Sequence, residues 1–304
     1  MIGILVVDKP SGLTSHDVVD VARRLTGVRR IGHTGTLDPM ATGVLVLLVG
    51  PATRLAQFAM KGPKEYQATI RLGVSTTTYD AEGEVTREGE VNADVDGLRQ
   101  ALATFHGEIM QVPPMYAAIR VNGRRLYEIA RRGEYVERKP RRVTIEDIDV
   151  LEWDPPNLTI RIRCSPGTYI RSLAHDLGEL LGCGAHLTAL RRTVSGPFTL
   201  DHSHTLEELE ELRRAGRLRE ALLPPSAGLP HMPVVVLSAD QTRKVRHGQV
   251  ITVADADAPL VQGVDPQGCL IAVLMRLEAH AYRPKVVLPP CHETPSERRE
   301  RGLR

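Results

Sequence analysis

At 304 residues, with 42% hydrophobic and 25% charged residues, the chain has the profile of a folded protein with a sizeable core, built as one large domain with a small appended one or as two ordinary domains. The formal net charge of +2 excludes a global field that would advertise a nucleic-acid partner, so any basic surface has to be local. The first apolar run, IGILVV at 2–7, is too short for a signal h-region or a membrane span, and a cytoplasmic protein without membrane contact is expected.

Residues 2–7 read as a strand entering the turn Lys9-Pro10-Ser11-Gly12. Ser15 is placed to cap a helix carrying Val18, Val19, Ala22 and Leu25 at helical spacing, with Gly27 as its stop. VLVLLVG at 44–50 reads as a buried strand, ATRLAQFAM at 52–60 as a helix and 66–72 as an alternating strand. Asp94 begins a helix that puts Leu98, Ala101, Leu102 and Phe105 on one face. Strands follow at 142–151 and 158–164, then a helix at 168–181 ended by Gly182, then strand character again at 186–194. The elements interleave without a regular βαβ period, which predicts an α+β fold with a mixed, mainly antiparallel sheet.

The breaker-rich stretch 224–233 reads as a linker. Beyond it, short strands separated by turns over 234–290 predict a small β-barrel of about 60 residues, a size able to fold alone. The charged tail 291–304 is expected to be disordered. Four cysteines, Cys164, Cys183, Cys269 and Cys291, are widely spaced, and structural disulfides are not expected in a reducing compartment. Cys183 and His186 have the spacing of half a zinc site, but no second pair matches it, and no metal is assigned.

The segment from Arg29 to Gly43, RRIGHTGTLDPMATG, is the most unusual in the chain. Its glycines permit tight backbone, and Asp38-Pro39 favours an extended residue followed by a turn. A loop so specified can hold one side chain rigidly, and the candidates are Asp38 and His33; a plain turn cap is the competing reading of Asp38. A phosphate-cradling loop fits poorly, because the G-x-x-x-x-G-K-[ST] pattern is missing. Between Arg120 and Arg142, nine Lys/Arg face three acids, a local net charge of +6. That concentration, which includes Arg120, Arg124, Arg125, Arg131 and Arg132, suits either a solvated face or a phosphate-tracking surface, and Asn122-Gly123 within it is a hairpin-turn signal.

GHTGTLDPMATGVL resembles the signature of the bacterial tRNA pseudouridine-55 synthases, the TruB family. DKPSGLTSHDVV, KEYQATIRLGVSTTTYDAEG, PPMYAAIRVNGRRLYEIARRG and CSPGTYIRSLAHDLGELLGCGAHLTALRRT follow the same family's order, so the resemblance spans the chain up to its tail. It implies an isomerase that converts a uridine of the tRNA T-loop, expected at position 55, to pseudouridine after flipping it out of the stack. It implies a pseudouridine synthase catalytic domain at 1–223 with a basic thumb-like insertion at about 115–142, and a PUA-like RNA-binding domain at 234–290.

By the same resemblance Asp38 is the attacking aspartate, Tyr66 stacks on the target base, and Arg171 pairs with the aspartate. His33, Tyr169, Leu190, Lys9 and Asp80 take supporting or substrate-binding positions, with Lys9 read first as structural support and Asp80 equally as a turn cap. An arginine touching Asp38 would lower its pKa, against the desolvation that raises it. The isomerisation needs no group or electron from outside, so no cofactor and no metal is called for. The expected partner is the T-arm and elbow of tRNA, and a monomer without an obligatory protein partner is expected. A guide-RNA-dependent relative, and a protein that only binds or folds RNA, are the competing readings.

Overall fold

The computed structural model describes residues 1–290, apart from 60, 61, 118, 122, 127, 128, 130, 131, 135 and 255. The tail 291–304, expected to be disordered, lies outside the described residues. The first half contributes strands β1 (Gly3–Lys9), β2 (Ile31–His33), β3 (Thr42–Val49), β4 (Lys64–Leu72), β5 (Val74–Thr76), β6 (Val85–Glu88), β7 (Gly107–Gln111), β8 (Arg120–Val121) and β9 (Arg124–Arg125). They alternate with helices α1 (Ser15–Thr26), α2 (Ala56–Ala59) and α3 (Val95–Ala103). The second half adds β10 (Arg141–Asp154), β11 (Asn157–Cys164), α4 (Ile170–Leu180), β12 (Ala185–Ser195), β13 (Phe198–Thr199), α5 (Leu206–Arg214) and β14 (Leu222–Leu223). The C-terminal part is β15 (Val234–Val236), α6 (Ala239–Arg246), β16 (Ile251–Thr252), β17 (Leu260–Val264), β18 (Leu270–Glu278) and β19 (Ala281–Val287).

Ten strands form one sheet in the order β14-β1-β3-β12-β4-β11-β10-β7, with β2 on β3 and β13 on β12. Only the short β3–β12 contact is parallel, which matches the mixed, mainly antiparallel expectation. Alternation along the strands separates two apolar faces. Leu5, Val7, Leu45, Leu47, Ala68, Ile70, Ile160 and Ile162 pack under residues of α1, α3, α4 and α5. Ile4, Val6, Val44, Val46 and Leu48 face the opposite way, against Ala52, Ala59 and Phe198.

Two local expectations are corrected. The N-cap of α1 is Thr14, not Ser15: the Thr14 hydroxyl accepts from Asp17 N while the Asp17 carboxylate accepts from Thr14 N, a reciprocal capping box. The helix expected over 52–60 is a 3₁₀ turn, Gly50–Leu55, followed by the single α-turn of α2.

The C-terminal strands form a five-stranded sheet, β15-β17-β18-β19-β16. The breaker-rich stretch before it is packed rather than loose. Leu229 and Met232 are buried in one cluster with Leu55 and Phe58 on one side and Val264, Leu270, Val273 and Val286 on the other. Cys164 and Cys183 are buried free thiols, but Cys269 is disulfide-bonded, which corrects the expectation for that residue. Cys291, the remaining cysteine, lies outside the described residues.

Candidate active site around Asp38

The loop between β2 and β3 is held from three directions. From α1, Ser15 Oγ donates to Leu37 O at 3.0 Å and accepts from Leu37 N at 2.8 Å, so the first residue of that helix grips the residue before Asp38. From β1, the Lys9 ammonium donates to Pro10 O, Leu13 O and Pro39 O at 2.8, 2.6 and 3.1 Å, and Gly12 N also donates to Pro39 O. From β12, the buried Arg192 guanidinium donates to Val44 O at 2.7 Å, Gly35 O at 3.1 Å and Thr36 O at 3.4 Å. Where the loop rejoins the sheet, Gly43 has φ +98°, and a Cβ there would lie 2.2 Å from Arg192 O, so a side chain at this position is excluded twice over.

Asp38 meets Arg171 from α4. Nη2 donates to Oδ1 at 3.0 Å, and Nε stands 3.0 Å from Oδ2 as an ion-pair contact whose angle is not that of a hydrogen bond. The far side of the same guanidinium is committed elsewhere: Nη1 donates to Asp80 Oδ2 at 3.1 Å and Thr78 O at 3.3 Å, and Nη2 also donates to Tyr116 O at 2.8 Å. The Asp38 side chain keeps 33% exposure, whereas those of Arg171 and Asp80 keep 5% and 4%. One carboxylate is therefore reachable from outside, and the other is an internal anchor.

Burial pushes the Asp38 carboxyl above the ordinary aspartate value; Arg171 pulls the other way and Asp80 adds to the rise. The net direction is upward, so desolvation outweighs the arginine that the sequence pointed to. Burial brings the Lys9 ammonium down to about 8, against the pull of Asp38. With its three donors on carbonyls and no exposed surface, Lys9 is placed as a clamp rather than as a surface cation.

Tyr66 is 8% exposed on β4, directly across from Arg192 of β12, and Leu190 is 7% exposed across from Ala68. Tyr169 is the N-cap residue of α4, and its backbone is held at both polar atoms by Gln111, whose Nε2 donates to Tyr169 O and whose Oε1 accepts from Tyr169 N. Burial raises the Tyr66 and Tyr169 phenols, and both feel the charge of Asp38. His33 ends β2; burial lowers its imidazole, and the Arg192 charge adds to the effect.

The basic stretch is a short hairpin of β8 and β9, pairing Arg120 with Arg125 and Val121 with Arg124. Arg124 and Arg132 are exposed; Arg131 and Asn122 lie outside the described residues, and of Arg120 and Arg125 only the backbone is described. The sequence reading missed Ser15, Arg192 and Gln111 as residues that shape this site. Their signal lies in distance along the chain: Ser15 acts across 22 positions, Arg192 across 157 and Gln111 across 58.

A family model described as TruB family pseudouridylate synthase (N terminal domain) matches residues 23–170. A tRNA pseudouridylate synthase B C-terminal domain matches 171–229, and tRNA Pseudouridine synthase II, C terminal, matches 232–289. The tRNA pseudouridine synthase B of Pseudomonas paraeruginosa is 48% identical over 257 residues, covering 84% of each chain. This chain belongs to the TruB family of pseudouridylate synthases. A TruB-family relative from Cupriavidus pinatubonensis is 50% identical over 84% of this chain and 82% of its own length. Among solved structures, an H/ACA RNP bound to a substrate RNA containing 2′-deoxyuridine aligns with TM-score 0.74 and 27% identity, over 97% of this chain and 87% of that one. A Cbf5-Nop10-Gar1 complex aligns with the same TM-score at 29% identity, over 95% and 85%.

Proposed function

We propose that this TruB-family chain isomerises uridine to pseudouridine in the T-loop of tRNA, at position 55, with Asp38 as the reacting carboxylate. The observation that carries the reading is Asp38 itself: a partly exposed carboxylate, paired with an anchored arginine, on a loop held by three separate elements. The reaction breaks the C1′–N1 bond, turns the uracil and joins C5 to C1′, so it needs a carboxylate beside the sugar or base and a means to hold the loosened ring. Because burial keeps the Asp38 carboxyl more basic than a solvated aspartate, it is a stronger nucleophile once ionised. Arg171 keeps it oriented.

Tyr66 supplies the ring on which the flipped base stacks, Leu190 an apolar wall, and His33 and Tyr169 the rim. The exposed cations of the insertion, Arg124 and Arg132 among them, follow the T-arm phosphates. In the same reading, 1–223 is the catalytic unit, 224–233 its connection, and 234–290 a PUA-like unit that adds grip on the RNA. Among the described residues no helix is long and apolar enough to cross a membrane. The proposed setting is the cytoplasm, with the chain acting as a monomer that needs no protein partner.

Tritium release from tRNA labelled at uridine C5 tests this, using the purified chain alone beside Asp38→Ala. Release by the wild type and none by the variant is the expected pair of results, with the product mapped to position 55. Equal release by both sinks the assignment of Asp38. No release by either sinks the function.

A further inference from the structure

Between the two acceptors that hold Arg171 Nη1, Thr78 O at 3.3 Å and Asp80 Oδ2 at 3.1 Å, stands Tyr79. Its φ is +66°, and only one other described residue besides glycine, His280, has a positive φ. A tyrosine is disfavoured in that region, and such a conformation persists where its surroundings impose it.

The surroundings act from two sides. The backbone is stitched to β12, where Leu187 N donates to Tyr79 O at 3.0 Å and Leu187 O accepts from Ala81 N at 3.0 Å. The ring is stacked on His175, with centroids 3.9 Å apart and an interplanar angle of 8°. His175 lies four residues after Arg171 on α4, hence on the same face of that helix, one turn along. One helix thus presents a guanidinium to both carboxylates and an imidazole to the residue between that guanidinium's acceptors. His175 Nδ1 is buried and makes no hydrogen bond, so the stacked face is the contact it offers here.

We propose that the Tyr79–His175 stack is a positioning device for the chemistry at Asp38. It locks the left-handed turn that sets Thr78 O and Asp80 on Arg171 Nη1. A guanidinium is planar and rigid, so fixing its Nη1 side fixes the direction in which Nε and Nη2 reach Asp38. The inference rests on the reading of Asp38 as the carboxylate of uridine isomerisation.

The test compares His175→Ala, Tyr79→Ala and their double variant with His175→Phe and Tyr79→Phe, which keep two stacked rings. Tyr79→Gly is included because it removes the ring while suiting the positive φ, and so gives a folded comparison if the alanine variants are unstable. Single-turnover pseudouridine formation at saturating tRNA, tRNA affinity by filter binding, and the thermal midpoint are measured on each. The alanine and glycine variants are expected to lose about tenfold or more in rate, within the range that a misplacement of about 1 Å produces, with affinity unchanged. The double variant should be no slower than either single, since the two residues act as one unit. The phenylalanine variants should recover most of the rate.

Wild-type rates in the alanine and glycine variants, with the wild type active, overturn this inference alone. So does a loss that follows the thermal midpoint and affinity and is equally deep in the phenylalanine variants. A wild-type protein that forms no pseudouridine overturns the functional reading and this inference with it.

Discussion

At Asp38 two opposing influences meet, and their order has measurable consequences. Desolvation lifts the carboxyl above 3.8, and Arg171 pulls it back only in part. In the proposed reaction the ionised form is the reactive one, so turnover should fall as pH drops through the folded-state pKa, and the acid limb of the single-turnover rate should lie above pH 3.8. A limb at or below that value would contradict the balance described. Linkage has a matching sign: the folded state holds this proton more tightly than the unfolded chain, so the group favours folding most below the unfolded pKa. That contribution is lost as pH rises through the folded pKa. Asp38→Asn should therefore abolish isomerisation, leave tRNA affinity nearly unchanged, and unfold at no lower denaturant than wild type at pH 7. Tritium release, filter binding and urea melts on the one variant check all three. Asp38 and Arg171 were legible in the sequence because a motif marks each of them. Arg192 was not, because a buried arginine whose carbonyl acceptors lie about 150 positions away leaves no local pattern, and its neighbour Arg191, paired with Asp8, reads identically.

Elements carry the loop, and α1 shows how. The pattern Thr14-x-x-Asp17 is a capping box that the sequence displays openly, and it frees Ser15 from capping. Ser15 then points inward with both hydrogen-bonding functions on Leu37. Ser15→Ala would leave a buried N–H and a buried C=O without partners, a loss of roughly 1–3 kcal/mol. It should also slow isomerisation more than it weakens tRNA binding, because the lost bonds adjoin Asp38. A urea melt with single-turnover rates on the same sample decides this, and an unchanged rate would show that the other clamps suffice. Strand existence was readable from alternation, and most boundaries shifted by only one to three residues. The insertion of β12 between β3 and β4 was not readable, because pairing across more than 110 positions is chosen by the whole core and not by local periodicity.

Across the whole molecule, the cluster of Leu55, Phe58, Leu229, Met232, Val264 and Leu270 ties the ten-stranded sheet to the five-stranded one. Phe58→Ala should cost about 3–5 kcal/mol, as large-to-small changes in a tight core do. Trp153, the single tryptophan, sits in β10 and reports on the large sheet alone. Its fluorescence and far-UV circular dichroism should change together in urea for the wild type. They should separate in Phe58→Ala, with the dichroism changing first; coincident curves in the variant would mean that other contacts hold the two sheets together. The sequence showed breakers over 224–233 and so suggested a linker, without showing what it packs against. The burial of Leu229 and Met232 depends on surfaces contributed by both sides, which no stretch of ten residues reveals.

Arg171 draws its acceptors from Asp38, Thr78, Asp80 and Tyr116, which stand 133, 93, 91 and 55 positions earlier in the chain. During synthesis both carboxylates emerge long before the cation that joins them, and contacts of such separation close late because chain entropy opposes them. The matched family regions divide at the same place, one ending at residue 170 and the next beginning at 171. Neither region alone holds Asp38 or Asp80 together with Arg171. On the proposed reading, a growing or clipped chain that has the signature loop but lacks α4 would carry Asp38 without the arginine that pairs with it, so competence for chemistry would arrive only with the second region.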